Sequence, residues 1–343
     1  MFKQKTDSVF IIAELSANHG GDIEIAKETI KAAKRAGADA IKLQTYKADT
    51  ITLDVKNDYF KINHNSHWDG RYLFDLYEEA HTPWEWHKEL FETAKDEGLI
   101  CFSSPFDNSA VDLLESLDNP IYKIASFEIT DIPLIEYVAS KGKPIIISTG
   151  IASIEDIELA LDTCRKQNNN DITLLKCTSQ YPAMPKDCNL ATIPDLKSRF
   201  EVNIGLSDHT LGIEAPVVAV ALGAKVIEKH FMLDKNIGGP DAHFSLDESE
   251  FTQLVKAVRK AEKMVGKVDY EMTEKKIKSR EFSRSLFVSE NVNSGDIIDS
   301  KNIKSVRPGH GLHTKYYNQI LGKTFTQSVS KGTPLTLNMI ENN

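Results

Sequence analysis

Cysteine is scarce in this sequence of 343 residues, and the four that occur are not arranged as a disulfide framework or a metal cluster. No C-x-x-C pair is found among Cys101, Cys164, Cys177 and Cys188. Disulfide frameworks belong mainly to small secreted chains. We therefore expect all four cysteines to be reduced thiols and the protein to be cytoplasmic.

Long apolar runs are also absent. Only a short apolar run precedes Glu14, and it fits neither a signal peptide nor a membrane span. The longest runs elsewhere, such as PVVAVALGA, fall well short of the ~20 residues that a bilayer requires. The sequence therefore predicts no association with a membrane.

Basic residues are not in excess. Lys and Arg total 41 against 50 Asp and Glu, which gives a net charge of −9. Because phosphate contact calls for clustered positive charge, we do not expect nucleic-acid binding. Hydrophobic residues make up 41% of the chain, which is enough for a sizeable core. The length exceeds that of one average domain, so two domains are expected.

The chain does contain a repeated alternation of short, β-rich apolar runs with longer amphipathic stretches. This alternation is typical of βα units built around a parallel sheet. Eight candidate strands lie at residues 9–14, 40–44, 100–104, 121–124, 144–148, 173–177, 203–207 and 225–230. Eight units in about 250 residues predict an α/β protein with a (β/α)8 TIM barrel.

The pattern changes after the last predicted helix. We place the barrel at residues 1–266, a polar linker at 267–282 and a small, mostly β domain at 283–343. The barrel also carries an insertion at residues 46–83, which is rich in Asp, Asn and aromatic residues and includes His64 and His67. Because the insertion follows the second strand, we expect it to lie over the barrel mouth.

Polar side chains collect at the carboxyl ends of the predicted strands, where the active site of such a barrel forms. Residues two apart on a strand share one face. The pairs that can enter the barrel together are Lys42 with Gln44, Ser207 with His209, and Glu228 with His230. The other candidates at strand ends are Glu14, Ser104, Lys123, Ser126, Ser148, Ser179 and Tyr181. One serine there is usually a turn residue, but the convergence of eight strand ends favours an enzyme.

Three lysines, Lys42, Lys123 and Lys176, are predicted near this mouth, where they would repel one another unless an anion lies among them. With the strand-end serines they suit phosphate and carboxylate groups. We therefore expect a small, doubly anionic substrate. The alternative is that each lysine pairs with a barrel carboxylate such as Glu14 or Glu228.

His209 and His230 end neighbouring predicted strands, so they can bind one divalent ion through neutral imidazoles. With positions left for water and substrate oxygen, such a site suits Mn²⁺, Mg²⁺ or Co²⁺ better than a closed zinc site does. The alternative is two histidines that are hydrogen-bonded within a polar mouth. Asp241, which follows a turn at residues 238–240, is expected near the same mouth. No G-x-G-x-x-G follows a strand, so nothing supports a dinucleotide fold.

Nine short motifs resemble, in order, those of the sialic acid synthase family, whose members have a barrel followed by an antifreeze-like (SAF) domain. They are IAELSANHGG, KLQTY, FSSPFD, YKIAS, STG, CTSQYP, GLSDHTLG, EKHF and GGPD. The segments SRSLFVSENVNSGDII, VRPGHGL and LGK resemble the SAF domain. The resemblance thus covers nearly the whole chain.

Within the family, KLQTY, WDGRYLFDLYEEAHTPWEWH and FSSPFD look most like the branch that makes pseudaminic acid, rather than the N-acetylneuraminate or legionaminate branches. The implied reaction joins phosphoenolpyruvate to 2,4-diacetamido-2,4,6-trideoxy-L-altrose and releases phosphate. The implied metal ligands are His209 and His230. The implied phosphoenolpyruvate pocket comprises Lys42, Ser104, Lys123, Ser126, Ser148, Ser179 and Ser207. The positions that match the acceptor sugar site or the reacting carbons are Glu14, Gln44, Tyr181 and Asp241. Ser179 stands where the neuraminate branch tends to have asparagine.

The resemblance also implies a domain-swapped homodimer, in which the C-terminal domain of one subunit covers the barrel of the other. Arg307 matches an arginine that reaches the partner's sugar site. Two other classes of function stay open: another aldolase-type barrel or sister synthase, and a non-catalytic sugar-binding protein. The many polar groups predicted in one mouth argue against a mere scaffold.

Overall fold

The structure is a computed structural model that describes residues 8–63 and 68–341. His64 and His67 of the predicted insertion lie outside the described residues. The chain divides into two compact units, Met1–Gly266 and Lys267–Asn343. Within the described part of the chain, no helix is both long and apolar enough to span a membrane.

The first unit is a closed barrel of eight parallel strands in sequence order, so the predicted TIM barrel is confirmed. The strands are β1 (Phe10–Glu14), β2 (Ala40–Thr45), β3 (Ile100–Pro105), β4 (Tyr122–Ile124), β5 (Ile145–Ser148), β6 (Ile172–Cys177), β7 (Asn203–Asp208) and β8 (Val226–His230). The barrel closes between β1 and β8, where Glu14 is in register with His230.

Helices of this unit follow the strands and surround the barrel. They are α1 (Ile23–Ala36), α2 (Ala48–Ile51), α3 (Leu73–Ala80), α4 (His87–Asp96), α5 (Asn108–Ser116), α6 (Ile132–Ala139), α7 (Ile154–Lys166), α8 (Thr192–Phe200), α9 (Glu214–Ala221) and α10 (Glu248–Val265). Helix α1 shows how the sequence sets the bounds. Asp22 caps its first turn by accepting the Glu24 N–H, and Gly37 ends it with a φ of 91°. Its buried face, which includes Ala26, Ile30 and Ala33, packs into the core.

The interior of the barrel has an apolar lower layer, which we name the barrel floor. It comprises Phe10, Ile12, Ala40, Phe102, Ile121, Ile146, Leu175 and Val226. Gly205 lies at this level because it is in register with Val226. There is no room for a side chain at this position, since a Cβ would lie 2.4 Å from the Val226 carbonyl oxygen. Polar side chains at the carboxyl ends of the strands are therefore placed above a packed, apolar support.

The insertion between β2 and β3 has structure of its own, with α2, a 3-10 turn at Asp58–Phe60, and α3. A hydrogen bond of 3.1 Å from Trp84 Nε1 to the Tyr46 carbonyl oxygen fastens its two ends together. The Tyr46 ring also contacts the rings of Tyr77 and Phe106 edge to face. Tyr46 stands directly after β2, so these contacts hold the insertion at the mouth end of the barrel.

The second unit contains a two-stranded antiparallel sheet of β9 (Ser285–Val288) and β10 (Ile303–Val306), as expected of a small, mostly β domain. Isolated bridges, such as the one between Val292 and Val329, extend this pattern. A separate core includes Leu286, Ile303 and Phe325. Two helices also occur, α11 (Glu274–Arg280) within the segment predicted as a linker, and α12 (Tyr317–Ile320).

An ionic network fastens α10 to the start of β1 at the end of the barrel away from the mouth. Arg259 Nη1 donates to the Val9 carbonyl oxygen at 2.6 Å, and Nη2 donates to Asp39 Oδ2 at 2.7 Å. The same Asp39 oxygen accepts the Ile11 N–H at 2.8 Å. The last helix of the barrel is thus hydrogen-bonded to its first strand.

We predict that Arg259→Met lowers the free energy of unfolding by about 2 kcal/mol, because both hydrogen bonds to Val9 and Asp39 are lost. Urea unfolding followed by circular dichroism measures the change. The matched control is Arg199→Met, since Arg199 pairs with Asp195 on an exposed helix face, where such a pair contributes about 0.3–0.5 kcal/mol. Equal midpoints for the two variants would contradict the role of Arg259.

Candidate active site at the barrel mouth

Two lysines and two glutamates meet inside the barrel, above the floor. Lys42 Nζ lies 2.7 Å from Glu14 Oε2 and 3.9 Å from Glu228 Oε2. Lys123 Nζ lies 3.8 Å from Glu228 Oε1. All four residues are buried. Both lysines therefore face barrel carboxylates, which is the alternative that the sequence left open, and the anion cradle stays a prediction.

Burial of these charges shifts their pKa values. It raises the pKa of Glu14 to about 7 even though Lys42 is adjacent, and the negative charge of Glu228 acts in the same direction. Burial also lowers the pKa of Lys123. For Glu228 the two lysines outweigh burial and hold the pKa below its usual value. Glu14 is therefore the carboxylate of this group that changes its charge near neutral pH.

A chain of hydrogen bonds leads from Glu14 to Asp241. Gln44 Nε2 donates to Glu14 Oε1 at 2.9 Å and lies 3.0 Å from Ser16 Oγ. Ser16 Oγ donates to Asp241 Oδ2 at 2.6 Å. Burial raises the pKa of Asp241. The structure thus brings Glu14, Gln44 and Asp241 together, and it adds Ser16, which lies beyond the end of β1 and was not predicted.

The five predicted serines are all in the mouth. Their hydrogen bonds join Ser104 to Lys42 at 3.3 Å, Ser207 to Glu228 at 3.0 Å, and Ser126 to Ser179 at 2.6 Å. Ser148 Oγ is buried and has no hydrogen-bond partner among the described residues. A Cβ on Gly150 would lie 2.0 Å from Ser179 Oγ, so this position requires glycine. The hydroxyls are free to rotate and can donate to an anion.

The two predicted metal ligands are neighbours, with ring centroids 5.4 Å apart. His209 Nδ1 lies 3.0 Å from the Thr178 carbonyl oxygen, so we assign the ring proton to Nδ1 and a lone pair to Nε2. Burial lowers the pKa of His230 far below its usual value, which keeps the imidazole neutral. Burial acts in the same direction on His209, but the neighbouring Cys177 outweighs it and the pKa of His209 is raised. Neutral imidazoles are the form that binds divalent ions, and burial favours that form at His230.

A metal ion would fit these residues. His230 Nδ1 is buried without a hydrogen-bond partner in the described part of the chain, although Asp241 Oδ2 lies 3.7 Å away. No group of three or more His, Cys, Asp or Glu suited to a metal is found in residues 8–63 and 68–341. The protein would therefore supply two nitrogen ligands and leave the other positions to oxygen from water or substrate.

Aromatic rings cover the histidines. The Tyr181 ring lies 4.5 Å from His209, and the Phe244 ring lies 4.7 Å from His230. The Trp68 ring, from the insertion, lies 5.8 Å from Tyr181. The insertion thus reaches the mouth, in the position that its place after the second strand predicts.

Lys176 is the one predicted mouth lysine that the structure places elsewhere. It is only half-buried, and its Nζ donates to the Cys177 carbonyl oxygen at 2.6 Å. Leu175 belongs to the barrel floor, so alternation turns Lys176 outward and Cys177 inward. Cys177 Sγ lies 3.9 Å from His209 Nδ1. The expectation for Lys176 was wrong, and the parity of Leu175 could have identified Cys177 instead.

Glu128 is a further residue of the mouth that strand-based reasoning missed. It lies on a 3-10 turn, Ser126–Glu128, that directly follows β4. Burial raises its pKa to about 7, and Oε2 has no hydrogen-bond partner within the described residues. The sequence carries no strand-period signal for Glu128, because a 3-10 turn does not repeat every two residues. Arg307 is exposed in the second unit, directly after β10, and its part in the site stays a prediction.

Comparisons with known proteins identify the family to which the chain belongs. The NeuB family model matches residues 29–270, and the SAF domain model matches residues 283–341. The chain is 50% identical over 327 residues to a pseudaminic acid synthase of Campylobacter jejuni subsp. jejuni serotype O:23/36 (strain 81-176), which covers 95% of each chain. It is 46% identical over 332 residues to the pseudaminic acid synthase of Helicobacter pylori (strain ATCC 700392 / 26695), covering 96% of this chain and 97% of that one.

A solved structure of a sialic acid synthetase is also similar to this chain. The N-acetylneuraminic acid (sialic acid) synthetase of Leptospira borgpetersenii serovar Hardjo-bovis, in complex with citrate, matches with a TM-score of 0.72 and 34% identity. The match covers 80% of this chain and 91% of that one. The chain therefore belongs to the NeuB family, and its C-terminal part is a SAF domain.

Proposed function

We propose that this protein is a pseudaminic acid synthase, which condenses phosphoenolpyruvate with 2,4-diacetamido-2,4,6-trideoxy-L-altrose to give pseudaminic acid and phosphate. Identity of 46–50% to pseudaminic acid synthases over nearly the whole chain supports the choice of product. The observation that carries the reaction type is the buried meeting of Lys42, Lys123 and the serines beside two neighbouring histidines in one mouth.

The lysines and serines would bind the anionic donor. Lys42 and Lys123 are buried, so a phosphate or carboxylate that reaches them exchanges water for charge-assisted hydrogen bonds worth about 1.5–3 kcal/mol each. Ser148 Oγ is buried without a partner among the described residues, and it can donate to the same anion. As phosphate leaves C2 with its C–O bond cleaved, these groups stabilise the charge that develops on it.

His209 and His230 would hold one divalent ion, which we expect to be Mn²⁺, Mg²⁺ or Co²⁺. When bound, the ion supplies Lewis-acid polarisation of the sugar aldehyde oxygen. Phe244 and Tyr181 pack on the two imidazoles and limit the access of water to them. The chain's own contribution at this point is thus to orient and shield both rings and to keep that of His230 neutral.

Glu14 would act as the general base. The C3 of phosphoenolpyruvate forms a bond to the aldehyde carbon, whose oxygen takes up a proton and becomes a hydroxyl, and C2 is left short of electrons. Water then adds to C2, and the resulting intermediate collapses to the ketone as the C2–O bond to phosphate breaks and phosphate leaves with the second proton of that water. The Glu14 carboxylate can take the first proton of that water, because a pKa of about 7 matches the ambient pH. Gln44, which donates to the other Glu14 oxygen at 2.9 Å, fixes the orientation of the carboxylate.

A domain-swapped homodimer is part of the proposal. Segment 264–282 exposes several large apolar side chains, which would be costly to leave in water and favour burial against a second copy. They are Met264, Val265, Val268, Tyr270, Met272, Ile277 and Phe282. The exposed cation of Arg307 would meet the acceptor sugar bound to the partner's barrel. A cytoplasmic location is supported by four cysteines that are all unpaired and buried.

The first test is phosphate release from phosphoenolpyruvate with a panel of acceptors. We expect the 2,4-diacetamido-2,4,6-trideoxy-L-altrose reaction to exceed those with N-acetylmannosamine and with the legionaminate precursor by at least ~10-fold in kcat/KM. A chelator should abolish release, and Mn²⁺ should restore it. Equal or higher activity with another acceptor would assign the protein to a sister branch, and no release with any acceptor would refute a synthase.

A second prediction concerns pH. Since only ionised Glu14 accepts a proton, kcat/KM should rise with pH through about 7. Glu14→Gln should remove this rise and reduce the rate by about 10²–10⁴-fold. Glu128→Gln is the control, because burial raises the pKa of Glu128 to about 7 as well. Loss of the rise in Glu128→Gln but not in Glu14→Gln would transfer the role of base to Glu128.

A third prediction tests the shared site by complementation. Arg307→Ala and His230→Ala should each be nearly inactive, because each damages both sites of its own homodimer. Co-expression should restore about a quarter of wild-type activity, since half of the dimers are mixed and each has one intact site. His209→Ala with His230→Ala is the control, because both changes lie in the barrel and no intact site forms. Mixed Arg307/His230 dimers without activity would contradict the swap.

A further inference from the structure

A fully buried ion pair lies directly behind the two histidines. Asp208 on β7 and Lys229 on β8 are in register, and each precedes one of the histidines by one residue. Alternation along the strands turns His209 and His230 into the barrel and turns Asp208 and Lys229 outward, to the layer of helices. Their side chains are 2% and 1% exposed.

The pair closes a small network around the turn that carries His209. Lys229 Nζ donates to Asp208 Oδ2 and, at 2.6 Å, to the Thr210 carbonyl oxygen. Asp208 Oδ1 accepts the Thr210 N–H at 3.0 Å and the Thr210 hydroxyl at 2.8 Å. Asp208 and Thr210 are thus both hydrogen-bonded to Lys229, which directly precedes His230 on β8. His209 lies between these two hydrogen-bonded residues.

Stability alone is a poor explanation for this arrangement. Moving two charges into an apolar layer costs so much hydration that well-packed apolar residues are often equally stable in their place. A fixed geometry is what a buried ion pair provides and apolar packing does not, because its hydrogen bonds have defined lengths and directions. The geometry that this pair fixes is the relation between the backbone at His209 and the backbone at His230.

We propose that Asp208 and Lys229 are positioning residues that hold His209 and His230 at the separation required to bind one divalent ion. Neither side chain faces the barrel interior, so both would affect a bound ion only through the backbone that carries the two histidines. This inference rests on the metal site of the proposed function. Groups behind metal-bound histidines typically alter metal affinity by about 10–100-fold when they are changed.

The test is Mn²⁺ binding to the chelator-treated, full-length protein, measured by electron paramagnetic resonance of the free ion. The double variant Asp208→Leu/Lys229→Met removes both charges together, so no unpaired charge stays buried and the melting temperature should change little. The Kd for Mn²⁺ should nevertheless rise by at least ~10-fold. The matched control is Arg259→Met at the other end of the barrel, which should lower the melting temperature and leave the Kd unchanged.

A folded double variant with the wild-type Kd would overturn the inference. If the double variant does not fold, Thr210→Val decides, because it removes only the hydroxyl that donates to Asp208 and keeps the side-chain shape. A rise in Kd of about 3-fold or more supports positioning, and an unchanged Kd overturns it. The variant His230→Ala tests the metal site itself. If it binds Mn²⁺ with the wild-type Kd, the metal site is refuted, whatever the Asp208 and Lys229 variants show.

Discussion

The burial of charge inside the barrel is the constraint to which the rest of the structure responds. Lys42, Lys123, Glu14 and Glu228 are removed from water, and ionised groups tolerate such burial only when they are paired. Pairing is incomplete here, since Lys123 lies 3.8 Å from its nearest carboxylate and Glu14 has a pKa of about 7. The closed barrel and its apolar floor hold the charges in place despite this cost. The incompletely paired ammonium group of Lys123 can still attract an anion.

The same arrangement orients polar groups of the mouth before any ligand binds. Hydrogen bonds to Glu14, Ser104 and Ser16 already orient the polar ends of Lys42 and Gln44, so the donors point into the mouth beforehand. In a low-dielectric site, groups that are oriented in advance stabilise developing charge more than mobile ones do. The aromatic rings of Tyr181 and Phe244 pack against His209 and His230 on the histidine side of the mouth.

Much of this fold and site could be predicted from the sequence because parallel strands obey a simple period of two. That period placed Lys42 with Gln44, and Glu228 with His230, on the inner face. It failed for Lys176 because the parity of β6 is set by Leu175, whose place in the barrel floor is a packing fact rather than a local one. It missed Glu128 because a 3-10 turn does not follow the strand period. The SAF domain could be recognised only by its motifs, since short strands and turns carry little periodicity.

The alternation along a strand also places neighbouring residues of one motif on opposite faces, where they make different contacts. Along β7 and β8 the inward positions carry polar groups of the mouth, and the outward positions join the two strands to each other. His209 and Asp208 are adjacent in the chain, yet one lies in a polar mouth and the other in an ion pair on the opposite face. The pairing of Asp208 with Lys229 depends on the register of two strands about twenty residues apart, which no single-strand pattern contains. A substitution on the outer face can therefore change the chemistry of the mouth only through the backbone, and its effect on ligand geometry need not follow its effect on stability.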